Sequence, residues 1–432
     1  MGTESGSVGK KPVIFSRRRE WATRQAISFL MQQGIENPQV LSLAAGFVDP
    51  QTLPVEEVRQ AAEQVLVRSV PADCTAVWHH RRFRDASWDL TRHLAHLEHT
   101  TAEDLKLSHE SLVLTTGSQQ LLSLLCEVLL DPEDIVLVAA PTYFVFLGTL
   151  NGVGARIIPI PSDQDGMLVD QLEKTLAQLD ALGELPRVKL IYVVSYYENP
   201  TGMCLAADRR PRVVELAKAW SKTHRILVLE DAAYRELRYD GPEYRSLWSY
   251  DQERDTVILA QTFSKSFCPG LRTGYGVVPQ DLVTPLSDRK GNEDFGSAHL
   301  SQSLLSRVMQ AGLYPGHVEN LRAAYRRKRE AMLQAIDEHF AEIPGVTWLR
   351  PNGGLYVWMT LPETVETGFH SELFRIATKQ EKVMYVPGEL FYGGPEQTWR
   401  KSQMRLSFGV LDEAGLAEGI QRLSRAVRQV IS

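Results

Sequence analysis

Short apolar runs recur through the middle of the chain, separated by longer stretches with helical spacing. Residues 111–115, 134–138, 188–194, 225–230, 256–260 and 275–278 are rich in Val, Ile and Leu and are bounded by polar, Gly or Pro positions. Runs of that length and composition predict buried strands. Residues 121–130 and 212–221 between them read as helices. The βαβ rhythm predicts an α/β fold with a mostly parallel, doubly wound sheet. After about residue 300 the texture changes to an α+β cap. A charged helix (about 316–340) leads to a strand over 353–359, a helix near 371–380, a strand over 404–408 and a terminal helix. The first 45 residues, with a helical stretch over 22–33, have no partner strand nearby and are expected to pack on this cap. The expected division is a large domain over 46–300 and a small one made of 1–45 with 301–432.

Composition narrows the class. The 432 residues are 44% hydrophobic and 23% charged, as in a soluble globular protein of two domains. A net charge of -6 points away from nucleic acid. The basic clusters at 16–20 and 326–330 are short, end at an acid and read as solvated helix faces. No apolar run approaches the roughly 18–20 residues of a membrane span, and the N-terminus has no apolar signal core. Gly6 departs from the myristoylation pattern. Cys74, Cys126, Cys204 and Cys268 share no metal-like spacing, so reduced thiols in a cytoplasmic protein and no metal site are expected. The Arg-rich stretch 17–25 leaves an organelle presequence as the alternative.

The chemistry concentrates around Lys265, in Gln261-Thr-Phe-Ser-Lys-Ser-Phe-Cys-Pro-Gly-Leu-Arg-Thr-Gly-Tyr275. An amine flanked by the Thr262 and Ser264 hydroxyls and followed by Arg272 combines a nucleophile with an anion cradle. Pyridoxal phosphate requires that pair, for its aldehyde and its phosphate. Four further loops follow predicted strands. Thr116-Gly-Ser-Gln-Gln120 opens a helix whose N–H groups, with Ser118, suit a phosphate; it also reads as an ordinary N-cap. Tyr143 could stack on a pyridine ring or serve as core. Glu198-Asn-Pro-Thr-Gly202 places the Asn199 amide near a phenolic oxygen, and is equally a good turn. Asp231, in Glu230-Asp-Ala-Ala-Tyr234, would hold a proton on a pyridine nitrogen, with Tyr234 reaching the same phenolic oxygen. A strand-end acid is otherwise a common helix cap.

In this order the elements resemble a fold-type-I pyridoxal-phosphate enzyme of the class I/II aminotransferases. The chain is especially similar to the branch with 2-aminoadipate and kynurenine aminotransferases and the aminotransferase-like half of MocR regulators. The resemblance covers nearly the whole chain. It implies Lys265 as the lysine that binds the cofactor covalently and carries the Cα proton. Asp231 would then pair with N1, Asn199 and Tyr234 with O3′, and Tyr143 stack. Gly117, Ser118, Gln119, Thr262, Ser264 and Arg272 would surround the phosphate. It further implies Arg405 as the substrate-carboxylate arginine, a role suited to its planar fork. Gly46 would be the glycine that lets backbone approach the substrate, and Arg24 the arginine reaching the substrate's distal end. The implied activity moves an amino group between an aromatic, 2-aminoadipate-like or branched amino acid and a 2-oxo acid such as 2-oxoglutarate, in a homodimer. Lyase or decarboxylase chemistry on the same scaffold is one alternative. An effector-sensing module is another, disfavoured because family-like sequence begins within the first few dozen residues.

One stretch departs from the family. Residues 74–88 read Cys-Thr-Ala-Val-Trp-His-His-Arg-Arg-Phe-Arg-Asp-Ala-Ser-Trp where the family has a Tyr-Gly motif that reaches the partner's phosphate. Read one base later, these codons can spell Ala-Leu-Gln-Tyr-Gly-Ile-Thr-Glu-Gly-Phe-Gly-Thr-Leu-Arg-Gly. The glycines under Trp78 and Trp88 are forced, because Trp is always TGG. Our hypothesis is a compensated pair of frameshifts; the alternative is true divergence. A +1 frame in the coding DNA without the Tyr-Gly motif would refute the frameshift.

Overall fold

The computed structural model describes residues 14–22, 32, 37, 39–73 and 84–431. A first short strand, β1 (Leu41–Ser42), pairs in parallel with Val383–Met384 far along the chain. The main sheet is built from β2 (Leu112–Thr115), β3 (Ile135–Ala140), β4 (Arg156–Asp163), β5 (Gly166–Met167), β6 (Val188–Val194), β7 (Leu227–Asp231), β8 (Val257–Thr262) and β9 (Gly274–Val277). Its order is β2-β9-β8-β7-β6-β3-β4-β5. The run β8-β7-β6-β3-β4 is parallel throughout. The antiparallel exceptions are β9 beside β8 and β2, and β5 folded back on β4.

The central strands are buried at every position of β3, β7 and β8. Both faces of such a strand meet helices, which is why the sequence shows continuous apolar runs and not alternation. Successive β3 side chains go to opposite faces: Ile135, Leu137 and Ala139 join one core cluster, Val136 and Val138 the other. The chain leaves β3 for β4 on one side, while β6 lies on the other. That reversal opens a crevice at the carboxyl ends of the strands, where open α/β sheets bind ligands.

A second, antiparallel sheet follows, β10 (Thr347–Trp348), β11 (Tyr356–Thr360), β14 (Gln403–Ser407) and β13 (Val386–Pro387), in the order β10-β11-β14-β13; β12 is the Val383–Met384 partner of β1. The helices Leu313–Phe340 and Glu413–Ile431 lie against each other beside it. The first of these starts earlier than its charge pattern predicts, because Pro315 falls in the opening turn, where its missing N–H is tolerated.

Among the elements that escaped the sequence reading, β4 and the helix behind it show why. β4 carries Pro159 and Pro161, which argue against a strand. The Pro161 carbonyl accepts from Leu168 N–H on the side away from β3, so the prolines' missing donors face that edge and leave the β3 ladder intact. The helix Val169–Ala181 behind it was missed with it. The N-terminal expectation is corrected in part. β1 does find a partner strand in the cap, but Trp21 of the helix Arg17–Ala22 lies against Gly154 of the main domain. The remainder of the predicted 22–33 helix, with Arg24, lies outside the described residues, as does most of the divergent 74–88 stretch. Among the described residues no helix is long and apolar enough to cross a membrane, and no cluster of metal-ligating side chains occurs.

Candidate active site

A cavity of ≈ 550 Å³ lies at the carboxyl ends of the parallel strands, within the usual range for small-molecule sites. Each predicted loop supplies its residue: Tyr143 after β3, Asn199 after β6, Asp231 and Tyr234 from β7, Thr262, Ser264 and Lys265 from β8. Ser118 and Gln119 enter from the first turn of a helix, Arg272 from the turn before β9, Arg405 from β14 and Gly46 from the segment after β1.

One corner is an anion cradle. The helix Ser118–Leu129 starts at Gly117, which has φ 81° and no side-chain cap, so its N-terminal dipole faces the cavity. A Cβ on Gly117 would lie 3.0 Å from Arg272 Nη2. A Cβ on Gly274 would lie 2.8 Å from both Gly117 C and Ser118 N; the bare Cα lets β9 press against this turn. Arg272 Nη1 donates to Ser264 Oγ (3.3 Å), and the Thr262 hydroxyl donates to the same oxygen (3.1 Å). Two hydroxyls, a guanidinium and a helix N-terminus thus converge.

The nucleophile and the acid sit deeper. Lys265 Nζ donates to Gly46 O at 2.7 Å. Burial lowers its pKa, opposed by Tyr356 and assisted by the cations of Arg405 and Arg272. Asp231 is buried, and burial pushes its carboxyl up to about 6, although Tyr192 OH donates to Oδ2 at 3.0 Å and Ala233 N–H to Oδ1 at 3.1 Å.

Opposite lies the cap. Arg405 is buried, with Nη1 donating to Asn199 Oδ1 (2.8 Å) and Nη2 to Ala44 O (2.7 Å). Its Nε has no partner among the described residues. Because Asn199 Oδ1 is taken, the amide turns its NH₂ to the remaining space.

Two tyrosines that sequence reasoning missed complete the site. Tyr192 looked like one more aromatic of a buried strand, and its register beside Leu229 places its hydroxyl on the neighbouring strand's Asp231. Tyr356 read as strand core, yet it lines the cavity with its hydroxyl 2.9 Å from that of Tyr234. No sequence signal separates either from core. The apolar rim of Phe47, Phe144, Val145, Pro269 and Met384 was likewise not foreseen.

Residues 38–423 match the family "Aminotransferase class I and II". The chain belongs to that family. This aminotransferase is 32% identical over 399 residues to the aromatic-amino-acid aminotransferase 1 of Thermococcus litoralis, covering 91% of this chain and 89% of that one. The solved kynurenine aminotransferase of Pyrococcus horikoshii superposes with a TM-score of 0.87 at 31% identity, covering 97% of this chain and 98% of that one. LysN, the α-aminoadipate aminotransferase of Thermus thermophilus solved with N-(5'-phosphopyridoxyl)-L-leucine, gives 0.80 at 29%, covering 96% and 97%.

The fold is that of the fold-type-I enzymes, and pyridoxal phosphate is the cofactor. The residues present fit it. The cradle of Ser118, Thr262, Ser264 and Arg272 suits a phosphate. A buried carboxyl raised to about 6 suits a cationic ring nitrogen, and an amine with lowered pKa suits an aldehyde.

Proposed function

We propose that this aminotransferase takes aromatic or branched amino acids as donors and 2-oxoglutarate as acceptor, with Lys265, Asp231 and Arg405 as its working core. One observation carries the reading: an amine of lowered pKa, a buried carboxylate and a guanidinium with an unpaired Nε line the same cavity. Bound pyridoxal phosphate supplies the carbonyl that receives the amino group and a ring that accepts the electron pair released at Cα.

Everything else falls to the chain. Lys265 Nζ takes the Cα proton and returns it, for which a neutral amine near working pH is needed. Asp231 holds a proton on the ring nitrogen; Tyr192 and the Ala233 N–H keep it ionised. The Asn199 amide and the Tyr234 hydroxyl face the cofactor's phenolic oxygen, Tyr143 covers the ring, and Gly117, Ser118, Gln119, Thr262, Ser264 and Arg272 hold the phosphate. Arg405 grips the substrate α-carboxylate through Nε and an outer Nη hydrogen, its other donors being fixed by Asn199 and Ala44. Gly46 leaves room for the substrate.

The apolar rim supports a hydrophobic donor side chain, since the basic residues among the described lining are Lys265, Arg272 and Arg405. A 2-aminoadipate-type donor rests on Arg24. The division into a unit over 46–300 and one of 1–45 with 301–432 is supported by the eight-stranded sheet falling within 112–277 and the four-stranded sheet within 347–407. A homodimer rests on the family resemblance. Cytoplasmic residence is supported by three free thiols, Cys126, Cys204 and Cys268.

The test is a half-reaction. Holoenzyme mixed with a single donor and no acceptor should convert to the amino form of the cofactor, and 2-oxoglutarate should restore the original spectrum. Ammonia or carbon dioxide released without the amino form would establish lyase or decarboxylase chemistry instead. Binding of amino acids with no conversion would favour an effector sensor.

A further inference from the structure

We propose that Tyr356 is a positioning residue of the amino-transfer site, whose hydroxyl donates to the Tyr234 phenol and so frees Tyr234 to direct its own proton into the cavity. This rests on the reading above, in which Tyr234 faces the cofactor's phenolic oxygen.

The two hydroxyls lie 2.9 Å apart, and the rings meet edge to face with centroids 5.7 Å apart. Both side chains are buried, so their hydrogen bond is insulated from competing water. Its direction decides what Tyr234 can do. A Tyr234 that donates to Tyr356 offers the cavity only lone pairs, which repel an anionic oxygen. A Tyr234 that accepts from Tyr356 offers its proton.

The surrounding charges favour the second arrangement. The Arg405 guanidinium lies over the Tyr356 ring, 4.3 Å from its centroid, and draws electron density from that phenol. Over the Tyr234 ring the cation is Lys265 Nζ, farther off at 5.8 Å. Asp231 lies three residues before Tyr234, and Tyr143 faces it from the loop after β3. Burial holds the Tyr234 phenol protonated, so it has a proton to offer the cavity. Tyr356 is therefore the stronger donor, and a chain of two hydroxyls polarised one way strengthens its terminal bond.

A second observation is independent of the tyrosine pair. A Cβ on Gly46 would fall 2.9 Å from Tyr356 Oη, closer than real Cβ atoms come, while its other neighbours would be at 3.7 Å and beyond. The carbonyl of the same glycine accepts from Lys265 Nζ. The hydroxyl thus fills the space above Gly46, where a side chain would otherwise fit.

The experiment uses holoenzyme without substrate and follows its visible absorbance from about pH 5 to 10, a window that ends at the foot of the ordinary Lys and Tyr range. Tyr356→Phe keeps the ring under Arg405 and deletes only the hydroxyl. The midpoint of the absorbance transition should rise by roughly 0.3–1 pH unit, because the anionic oxygen loses part of its donor. Turnover should fall about three- to tenfold with donor KM nearly unchanged, whereas Tyr356→Leu, which also removes the ring, should raise KM. Gly46→Ala should shift the midpoint in the wild-type background and add no further shift in Tyr356→Phe. A Tyr356→Phe midpoint equal to wild type overturns the proposal, as does an equal Gly46→Ala shift in both backgrounds. If wild-type enzyme binds the cofactor and never converts it with any donor, the aminotransfer reading fails, whatever the midpoints do.

Discussion

Arg405→Lys separates geometry from charge at the carboxylate site. The guanidinium is buried and shared: Nη1 reaches Asn199 Oδ1 at 2.8 Å, Nη2 reaches Ala44 O at 2.7 Å, and Nε is unpaired. A lysine ammonium has one nitrogen for all of this. If it stays with the substrate carboxylate it offers one strong contact in place of two parallel ones, a loss of about 1.5–3 kcal/mol for a hydrogen bond to a charged group. It also strands Asn199 Oδ1 or Ala44 O without a donor, at about 1–3 kcal/mol, charged partly to stability. The Asn199 amide is then free to rotate and turn its oxygen toward the space its NH₂ occupied. The first loss alone predicts a fall of roughly 10- to 150-fold in kcat/KM, since each 1.36 kcal/mol is a factor of ten. The assay is single-turnover kinetics in both half-reactions, with glutamate and an apolar donor, and the cofactor absorbance as a check on binding. The fall should be similar for donor and acceptor, and for both donors. If the apolar donor is spared, Arg405 reads side chains and the α-carboxylate is held elsewhere.

Lys265→Ala should abolish transamination and the visible band while thermal unfolding of the apoprotein stays near wild type, because the amine makes a single hydrogen bond, to Gly46 O, among the described residues; an active, yellow variant refutes the assignment. Asp231→Asn should retain cofactor and lose turnover by orders of magnitude. Its apoprotein carries a pH signature: burial raises the wild-type carboxyl from 3.8 to about 6. The folded state therefore holds that proton more tightly than the unfolded chain. Wild-type stability is greatest relative to Asp231→Asn below pH 4, and about 3 kcal/mol of that difference is lost as pH rises through about 6. Denaturant titrations of both proteins across that window check the sign. Tyr192→Phe removes a donor to Asp231 Oδ2 and should weaken cofactor binding by about tenfold at neutral pH, measured by equilibrium dialysis. Arg24→Ala should penalise only donors with a second carboxylate or polar tail, seen in kcat/KM profiles.

Much of this site is legible because its residues sit at strand ends, where apolar runs stop and polar groups appear. Asp231 and Lys265 could be singled out from the chain alone: Asp231 ends a buried strand with a charge, and Lys265 follows the end of the next strand within a hydroxyl-rich loop. Tyr192 and Tyr356 could not, because their rings belong to the core pattern and only a hydroxyl does chemistry. Which hydroxyl meets which neighbour depends on register, Tyr192 beside Leu229 and Tyr356 opposite Ser407, and that is a property of paired strands. β4 was hidden by a different cause. Its prolines contradict strand propensity, and only the open side of the ladder, where Pro161 O meets Leu168, makes them harmless. The helix Arg17–Ala22 precedes the predicted 22–33 stretch, and where it packs was not legible, because an apolar face does not say which domain it covers; Trp21 found Gly154.

The site's electrostatics follow from one arrangement. Asp231 is kept from its ordinary ionisation and Lys265 from its ordinary protonation, both chiefly by burial. Arg405 Nε and Gln119 Oε1 are buried without partners among the described residues. Each of these raises the free energy of the folded chain, since a buried polar group without its partner costs about 1–3 kcal/mol. Their needs are complementary to one kind of ligand pair: a ring with a protonated nitrogen and an electrophilic carbon, and a substrate with a carboxylate. Binding that relieves them is linked to folding, so cofactor should raise the unfolding temperature in proportion to its affinity. The same logic divides the work between ligands. On the function proposed above, Asp231 and Lys265 are met by the cofactor, whereas Arg405 is met by substrate, which arrives and leaves in every half-reaction. Arg405 must therefore be held in place between turnovers, and Asn199 and Ala44 do this by occupying Nη1 and Nη2 while Nε waits. An arginine fixed on two sides before substrate enters needs little reorganisation when the carboxylate binds, so more of that contact can serve to orient the Cα–H bond toward Lys265.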